Sequence, residues 1–423
     1  MKPAAPLMSL EEAMARLIAG AQTCRIQDTE KVFLFDALHR VLAEPIRSLI
    51  DVPPGDNTSM DGYALRTVDV PHVGVELTVA QRIPAGQVGR PLGPGEAARI
   101  FTGAQVPPGA DAVVMQEQCE AVPPSTPGQG LGQVRVNAVP QTGQWVRRRG
   151  EDVQAGSVVL AAGLRLSPQA LGLAASVGCA EVSVCRRLRV ALFSTGDELV
   201  MPGEVPADKL RPGAIYNSNR YTLRGLLLSA GCEVTDLGIV PDRLDATREV
   251  LRRAASGHDL ILTSGGVSVG EEDHIKPAVQ AEGNLELWQM AIKPGKPLAF
   301  GSVRRDGHRP CLFVGLPGNP VSSFVTFLLA VAPVLRVLQG MAPQPFKPQT
   351  LRADFDWTRP DRRREFLRAR LNAQGGLDLY PNQSSGVLTS AVWADGLVDN
   401  PPGAAIARGQ LVSFLSFADL LST

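Results

Sequence analysis

Neither sign of charge is in excess in this sequence: 42 lysines and arginines balance 42 aspartates and glutamates. A chain without net charge has no general electrostatic footprint for nucleic acid or an anionic membrane, so any anionic ligand must be held by a local site. The six cysteines (Cys24, Cys119, Cys179, Cys185, Cys232 and Cys311) form no C-x-x-C pair. That argues against a disulfide framework or zinc site and for reduced, mostly buried thiols. His39, His72, His258, His274 and His308 show no metal-ligand spacing, and neither Ser-His-Asp nor Cys-His chemistry is indicated. No G-x-x-x-x-G-K-[ST] occurs, and no G-x-G-x-x-G opens a helix after a strand, which excludes a P-loop nucleotidase and the dinucleotide fingerprint. Long apolar runs are missing too. The most apolar stretch, Val321 to Leu335, contains Pro333, falls short of the ~20 residues that span a bilayer and reads as a core helix. Acids and Arg16 interrupt the apolar residues of the N-terminus, which argues against a signal peptide. A soluble, cytoplasmic chain is expected.

Glycine and proline are plentiful, 42 and 34 of 423 residues, within an ordinary globular mixture of 44% apolar and 20% charged residues. The length predicts two to four domains at about 100–200 residues each, and no repeat of fixed period marks them. Residues 1–51 read as helical, with Ser9 and Glu12 in a capping-box pattern. From Asp51-Val-Pro-Pro to about Trp145, short apolar runs between Gly and Pro read as strands and turns. Pro123 to Gly132 reads as a surface loop. Residues 146–186 hold one helix, Ser167 to Val177, with Pro168 at its first position. Between Leu188 and Gly340, β-type runs (Val190–Phe193, Glu233–Val240, Leu260–Leu262, Ala299–Phe300, Leu312–Val314) alternate with helical patterns. The helices are expected near Tyr221–Ser229, near Asp245–Ala255, after Asp273 and from Val321. Such alternation implies βαβ units and a mainly parallel sheet covered on both faces. Gln344 to Thr423 predicts a small β domain.

In an open α/β sheet, ligands bind beyond the carboxyl ends of the strands. That rule selects Ser194-Thr-Gly-Asp-Glu198, Pro241-Asp242, the loop from Thr263 to Asp273, and Gly315-Leu-Pro-Gly-Asn-Pro-Val-Ser-Ser323, with Lys293-Pro-Gly-Lys296 on the same stretch. Asp and Gly are ordinary turn residues, so no single loop decides; five polar loops along one edge predict a pocket. Gly265 and Gly266 let backbone N–H groups approach an anion. Asn319-Pro320 reads as cap and first residue of a helix, leaving the N–H groups of Val321 to Ser323 free for a phosphate. Glu198, Asp242 and Asp273 would repel an anion, whereas hard carboxylates with a phosphate ligand suit Mg²⁺. Lys293 and Lys296 flank a Pro-Gly turn as an oxyanion clamp would, a solvated basic turn being the plainer alternative.

Five segments occur in sequence: Asp56-Asn-Thr-Ser-Met-Asp-Gly-Tyr-Ala64, Arg99-Ile-Phe-Thr-Gly-Ala104, Thr195-Gly-Asp-Glu-Leu199, Ser264-Gly-Gly-Val-Ser-Val-Gly270 and Leu316-Pro-Gly-Asn-Pro320. In this order and spacing they closely resemble the molybdopterin molybdenumtransferase family (MoeA, and the E domain of gephyrin), over essentially the whole chain. The resemblance implies a homodimer of elongated four-domain subunits. Its substrates would be adenylylated molybdopterin and molybdate, its products AMP and molybdenum cofactor, and its metal Mg²⁺. The fold implied is multidomain α/β plus β. A central three-layer α/β domain with a mainly parallel sheet (1–22 and 187–337) joins a Gly/Pro-rich β domain (52–145). An elongated connecting and dimerisation domain (23–51 and 146–186) and a C-terminal small β-barrel-like domain (338–423) complete it. The resemblance makes Asp61 and Thr102 cleft residues, supplied by the partner's Gly/Pro-rich domain. Glu198, Asp242 and Asp273 become acids on the pterin side and candidate Mg²⁺ ligands. Ser194, Thr195, Gly196, Ser264, Gly265, Gly266, Pro317, Gly318 and Asn319 line the substrate loops. Lys293 and Lys296 are the oxyanion-side cations, while Arg364 in Arg362-Arg-Arg-Glu-Phe366 and Ser385 in Gln383-Ser-Ser-Gly386 match the molybdate site.

Gln289 stands where relatives often carry a lysine; an amide donates a hydrogen bond but adds no charge. Val200 to Pro212 reads as a surface insertion. The expected mechanism is metal-assisted pyrophosphate cleavage, with Mg²⁺ near Asp242 or Asp273. Lys293, Lys296, Arg364 and Ser385 would position molybdate by proximity, and no residue reads as a nucleophile. A molybdopterin adenylyltransferase would share the α/β domain but lack the flanking regions. A gephyrin-type non-enzymatic scaffold would need a fused module or long linker. Expected partners are a second copy of the chain, a molybdopterin adenylyltransferase and molybdoenzyme-maturation proteins, with neither nucleic acid nor membrane.

Overall fold

The apolar runs after Leu188 are strands because alternate residues along them are buried against different helices. The computed structural model describes residues 7–126, 128–266, 274–305, 307 and 309–421. They fall into two compact units, Met1–Glu30 with His39–Ala43 and Ser183–Thr423, and Lys31–Leu38 with Glu44–Val182. In the first unit, β1 (Arg189–Thr195), β2 (Glu233–Val240), β3 (Leu260–Ser264), β4 (Gly283–Gln289), β5 (Pro297–Val303) and β6 (Cys311–Leu316) form one sheet. Its order is β2-β1-β3-β6-β5-β4, the first four strands parallel, β5 antiparallel to β6 and β4 antiparallel to β5. Val190, Leu192, Leu260, Leu262 and Val314 pack with α1 (Leu10–Thr23), α2 (Ser218–Ser229) and α5 (Pro320–Leu338). Ala191, Phe193, Ile261 and Phe313 pack with α3 (Leu244–Gly257) and α4 (Ile275–Glu282). The sheet is thus the middle of three layers, and burial on both faces accounts for its continuous apolar runs.

Helix α1 starts where Ser9 Oγ accepts the Glu12 N–H at 3.1 Å, and it buries Leu10, Ala13, Leu17 and Ala21 along one stripe. It stops at Thr23, and the helical expectation for 1–51 fails beyond that point. Thr29–Phe33 is extended, Leu34–Asp36 is a single 3₁₀ turn and Ile46–Arg47 is a strand. The apolar residues there are consecutive, Val32 to Phe35, rather than spaced three and four apart, and Pro45 forbids continuation. Helix α5 outruns the apolar stretch that announced it. It passes through a π turn at Phe327–Val331 just before Pro333, whose missing N–H removes the α-type bond. Its most apolar window is 83% buried, as a core helix is.

The C-terminal region folds as β7 (Gln349–Ala353), β8 (Arg364–Leu371), β9 (Gly376–Leu379), β10 (Gly396–Asn400) and β11 (Leu411–Ser416). The order β8-β9-β7-β11-β10, with β10 pairing back onto β8, closes a barrel of five strands. Leu367, Ala369, Val398 and Phe414 fill it, while Phe366, Leu397 and Leu415 join the core of the α/β layers. Ile292–Lys293 pairs in parallel with Arg364–Glu365, which joins the barrel to the segment between β4 and β5.

The second unit contains a six-stranded sheet in the order Ala112–Met115, Gly62–Leu65, Glu96–Ile100, Val75–Ile83, Gln133–Val136 and Cys119–Val122. Two short ladders pair Ile46–Arg47 with Val158–Leu160 and Asn57–Thr58 with Val146–Arg147. Its helix, Pro168–Ser176, is capped by Ser167 Oγ, which accepts the Ala170 N–H at 3.2 Å.

Candidate functional site

Ser194, Ser264 and Leu316 stand side by side at the ends of β1, β3 and β6. The loops that follow therefore leave the sheet at one level, at the carboxyl edge where α/β sheets bind ligands. A cavity of about 990 Å³ opens there. Its lining includes Thr195, Gly196, Glu198, Asp242, Ser264, Gly265, Gly266, Lys293, Lys296, Pro317, Gly318, Asn319 and Ser385, all singled out from sequence. Ser194 lies just beneath as a fully buried strand residue. Asp273 lies outside the described residues.

Gly265 shapes the cradle. Its φ is +90°, and a Cβ there would lie 2.7 Å from the Thr195 carbonyl oxygen, so only glycine fits. Its N–H donates to the Leu316 carbonyl at 3.1 Å. Asn219, buried in the first turn of α2, donates from Nδ2 to Ser264 Oγ at 2.9 Å and to the Gly318 carbonyl at 2.7 Å. One side chain thus ties the β3 and β6 loops together. Asn217 caps α2, its Oδ1 accepting the Arg220 N–H at 3.1 Å. Asn217 Nδ2 and Thr195 Oγ1 are buried with no protein partner among the described residues, yet both residues line the cavity. Polar atoms so placed are ready for a ligand.

The helix start at Asn319-Pro320 differs from expectation. Asn319 makes no side-chain cap bond. The Val321 N–H donates to the Ser385 carbonyl at 3.0 Å and the Ser323 N–H to the Asn319 carbonyl at 2.9 Å. Neither donor is free for a phosphate: the barrel loop carrying Ser385 docks on the first, and the helix's own first turn takes the second.

Adjacent residues of a strand point to opposite sides, and this separates the two arginines at the start of β8. Arg364 does not line the cavity: its Nε and Nη2 reach Asp399 Oδ1 and Oδ2, each at 2.6 Å, and its Nη1 reaches Glu11. It joins the barrel to α1. Arg363 is the one on the cavity wall, bidentate to Asp361 at 3.1 and 3.0 Å and donating to the Ile292 carbonyl at 3.4 Å. The Arg363 guanidinium holds the Asp361 carboxyl well below the usual carboxylate range. Lys293 Nζ lies 3.3 Å from Glu365 Oε1 and 3.4 Å from Asp361 Oδ2. Glu365 is fully buried, and its Oε2 accepts the Trp357 indole N–H at 2.8 Å. Lys293 is therefore partly neutralised. Lys296 is exposed and has no carboxylate partner among the described residues.

The cavity lining thus combines Glu198 and Asp242, from the loops after the strands, with Lys293 and Arg363, paired to Glu365 and Asp361 of the barrel segment, and with exposed Lys296. Among the described residues no three His, Cys, Asp or Glu side chains converge. Two hard carboxylates with room for substrate oxygens still fit Mg²⁺, which takes one or two protein carboxylates and keeps water. Sequence reasoning missed Asn217, Asn219, Arg363 and Ser384. An Asn-Ser-Asn run ahead of a helix is a cap signature that could have drawn attention to the first two.

In the second unit, Asp61 and Thr102 come together: the Thr102 N–H and Oγ1 donate to Asp61 Oδ1 at 2.8 and 2.7 Å. These bonds, with the charge of Arg99, hold the Asp61 carboxyl below its ordinary value.

Three family models match this chain: the MoeA N-terminal region (domains I and II) over residues 8–178, a probable molybdopterin binding domain over 191–337, and the MoeA C-terminal region (domain IV) over 350–417. It is 42% identical over 335 residues to a protein of Haemophilus influenzae named molybdopterin molybdenumtransferase, covering 79% of this chain and 78% of that one. It is 38% identical over 376 residues to molybdopterin molybdenumtransferase 2 of Mycobacterium tuberculosis, covering 85% and 88%. Among solved structures, the molybdopterin biosynthesis MoeA protein of Pyrococcus horikoshii OT3 superposes with a TM-score of 0.81 at 29% identity, covering 97% of this chain and 100% of that one.

Proposed function

The chain belongs to the molybdopterin molybdenumtransferase family, and from that premise we propose that it inserts molybdate into adenylylated molybdopterin, releasing AMP and molybdenum cofactor with Mg²⁺ as its metal. It is a transferase of molybdenum-cofactor biosynthesis. One observation carries the finer reading: a single cavity is lined by two carboxylates, a glycine cradle and three cations, Lys293 and Arg363 ion-paired to Glu365 and Asp361 and Lys296 with no carboxylate partner among the described residues. A phosphoanhydride and an oxyanion can be held there together without sharing a subsite.

The Gly265 N–H is taken by the Leu316 carbonyl, so the backbone at Gly266 meets substrate phosphate, and Asn219 keeps that loop in register with Pro317–Gly318. Lys296 holds molybdate against the Ser384–Ser385 loop with an unbalanced charge, and Arg363 and Lys293, each balanced by a carboxylate, add donors. Glu198 and Asp242 would hold Mg²⁺, which when bound supplies positive charge opposite the breaking phosphate bond. Orientation of two bound anions, with no protein nucleophile, is the source of rate. We also propose a cytoplasmic homodimer in which Asp61 and Thr102 serve the partner's cleft, with a molybdopterin adenylyltransferase upstream and molybdoenzyme-maturation proteins downstream. Support for that arrangement comes from the motifs around Asp61 and Thr102.

The test is AMP release from adenylylated molybdopterin with Mg²⁺, followed with and without molybdate. Molybdate should accelerate it. ATP-dependent adenylylation of free molybdopterin, with no molybdate effect, would instead identify an adenylyltransferase.

A further inference from the structure

A second cavity, of about 120 Å³, lies between α5 and the C-terminal barrel and shares no residue with the cleft. Two cations line it, Arg336 from the last turn of α5 and Lys347 from the segment that follows. Arg336 Nε is buried without a partner, and neither cation has an ion pair among the described residues. Withdrawal from water holds the Arg336 guanidinium below its ordinary pKa. A half-buried guanidinium with its Nε bond unmade favours an incoming anion, since part of its desolvation is already suffered. One carboxylate, Asp419, also lines the cavity, but its Oδ2 already accepts from Ser416 Oγ at 2.6 Å and Gln349 Nε2 at 3.4 Å. The remaining lining is largely apolar, with Leu328, Ala332, Leu415 and Leu420.

That composition selects the ligand. A strongly hydrated inorganic oxyanion would lose water against leucine side chains that return nothing. An anion with a short apolar body satisfies both parts of the lining. A cavity near 150 Å³ admits benzene, so this one suits a chain of about four carbons. We propose that this cavity binds a small aliphatic monocarboxylate, its carboxylate on Arg336 and Lys347 and its chain against Leu328, Ala332 and Leu415.

The probe is n-butyrate, titrated into the full-length protein and followed by ligand-observed NMR, with Arg336→Gln and Lys347→Gln as variants. Saturable binding should weaken about tenfold in Arg336→Gln, as expected for loss of a charge-assisted bond, and measurably in Lys347→Gln. Saturating molybdate should leave it unchanged, and both variants should retain molybdate-stimulated AMP release. Lys347 is exposed, so its variant will fold and decides alone if Arg336→Gln does not. No saturation at about 50 mM butyrate, equal binding in the variants, or displacement by molybdate would overturn the proposal.

Discussion

Lys293→Met separates the two tasks this lysine has. Glu365 is fully buried, and Lys293 Nζ is its cationic neighbour at 3.3 Å; the other donors, Trp357 Nε1 at 2.8 Å and Asn400 Nδ2 at 3.4 Å, are neutral. Removing one member of a buried ion pair costs about 3–5 kcal/mol, chiefly through the charge left behind. The Lys293 side chain is 39% exposed, and screening on that side places the expected loss lower, at about 2–3 kcal/mol. For a folding unit of this size that corresponds to a fall in Tm of about 3–5 °C. Adding Glu365→Gln removes the stranded charge and keeps an acceptor for Trp357, so the double variant should recover all but about 1 kcal/mol. Molybdate use should not recover, because the cation is absent from both variants. Thermal and denaturant unfolding of both singles and the double form the cycle, and KM for molybdate is measured on each. Wild-type stability in Lys293→Met would refute the energetic argument. A normal molybdate KM in the double variant would show that Lys293 acts only through Glu365.

The two neighbouring arginines should part company. Arg363→Gln should raise the KM for molybdate about tenfold, whereas Arg364→Gln, which strands Asp399, should lower stability by about 2–3 kcal/mol with a near-normal KM. Gly265→Ala forces a Cβ to within 2.7 Å of the Thr195 carbonyl at φ +90° and should cost about 1–3 kcal/mol of strain, with a larger loss in pterin affinity than in molybdate affinity, read from the two KM values. Acid should weaken the barrel. Arg352 and Asn372 hold Asp354 at about 2, and Arg363 holds Asp361 lower still, both beneath the roughly 3.9 of an unfolded chain. Their stabilisation is complete above that unfolded value and is lost as pH falls through the folded values. Tm should therefore drop between about pH 4 and 2, and less steeply in Arg352→Gln.

Central strands were legible because the α/β layers bury both faces: Leu260–Ser264, marked by its apolar run at Leu260–Leu262, is buried throughout. β4 has no continuous apolar run, because Asn284 and Glu286 alternate with buried Leu285 at an edge, and it is read by that alternation instead. The helical reading of residues 24–51 failed where consecutive apolar residues were mistaken for a stripe. In the site, glycines and carboxylates after strands were visible because their reasons are local. Arg363 and Arg364 are chemically identical in sequence, and only the register of β8 decides which faces the cavity. The Val321 donor was not legible for a tertiary reason, the docking of the Ser385 loop, whereas the Ser323 N–H simply closes the helix's first turn on the Asn319 carbonyl.

Crystals of the protein grown with molybdate, measured at the molybdenum absorption edge, test the central claim most directly. An anomalous peak should lie between Lys296, Arg363 and the Ser384–Ser385 loop, and at subsaturating molybdate should weaken in Arg363→Gln. A peak only elsewhere, such as beside Arg336 and Lys347, or none under saturating molybdate, would contradict the assignment of the cleft as the place where metal meets pterin.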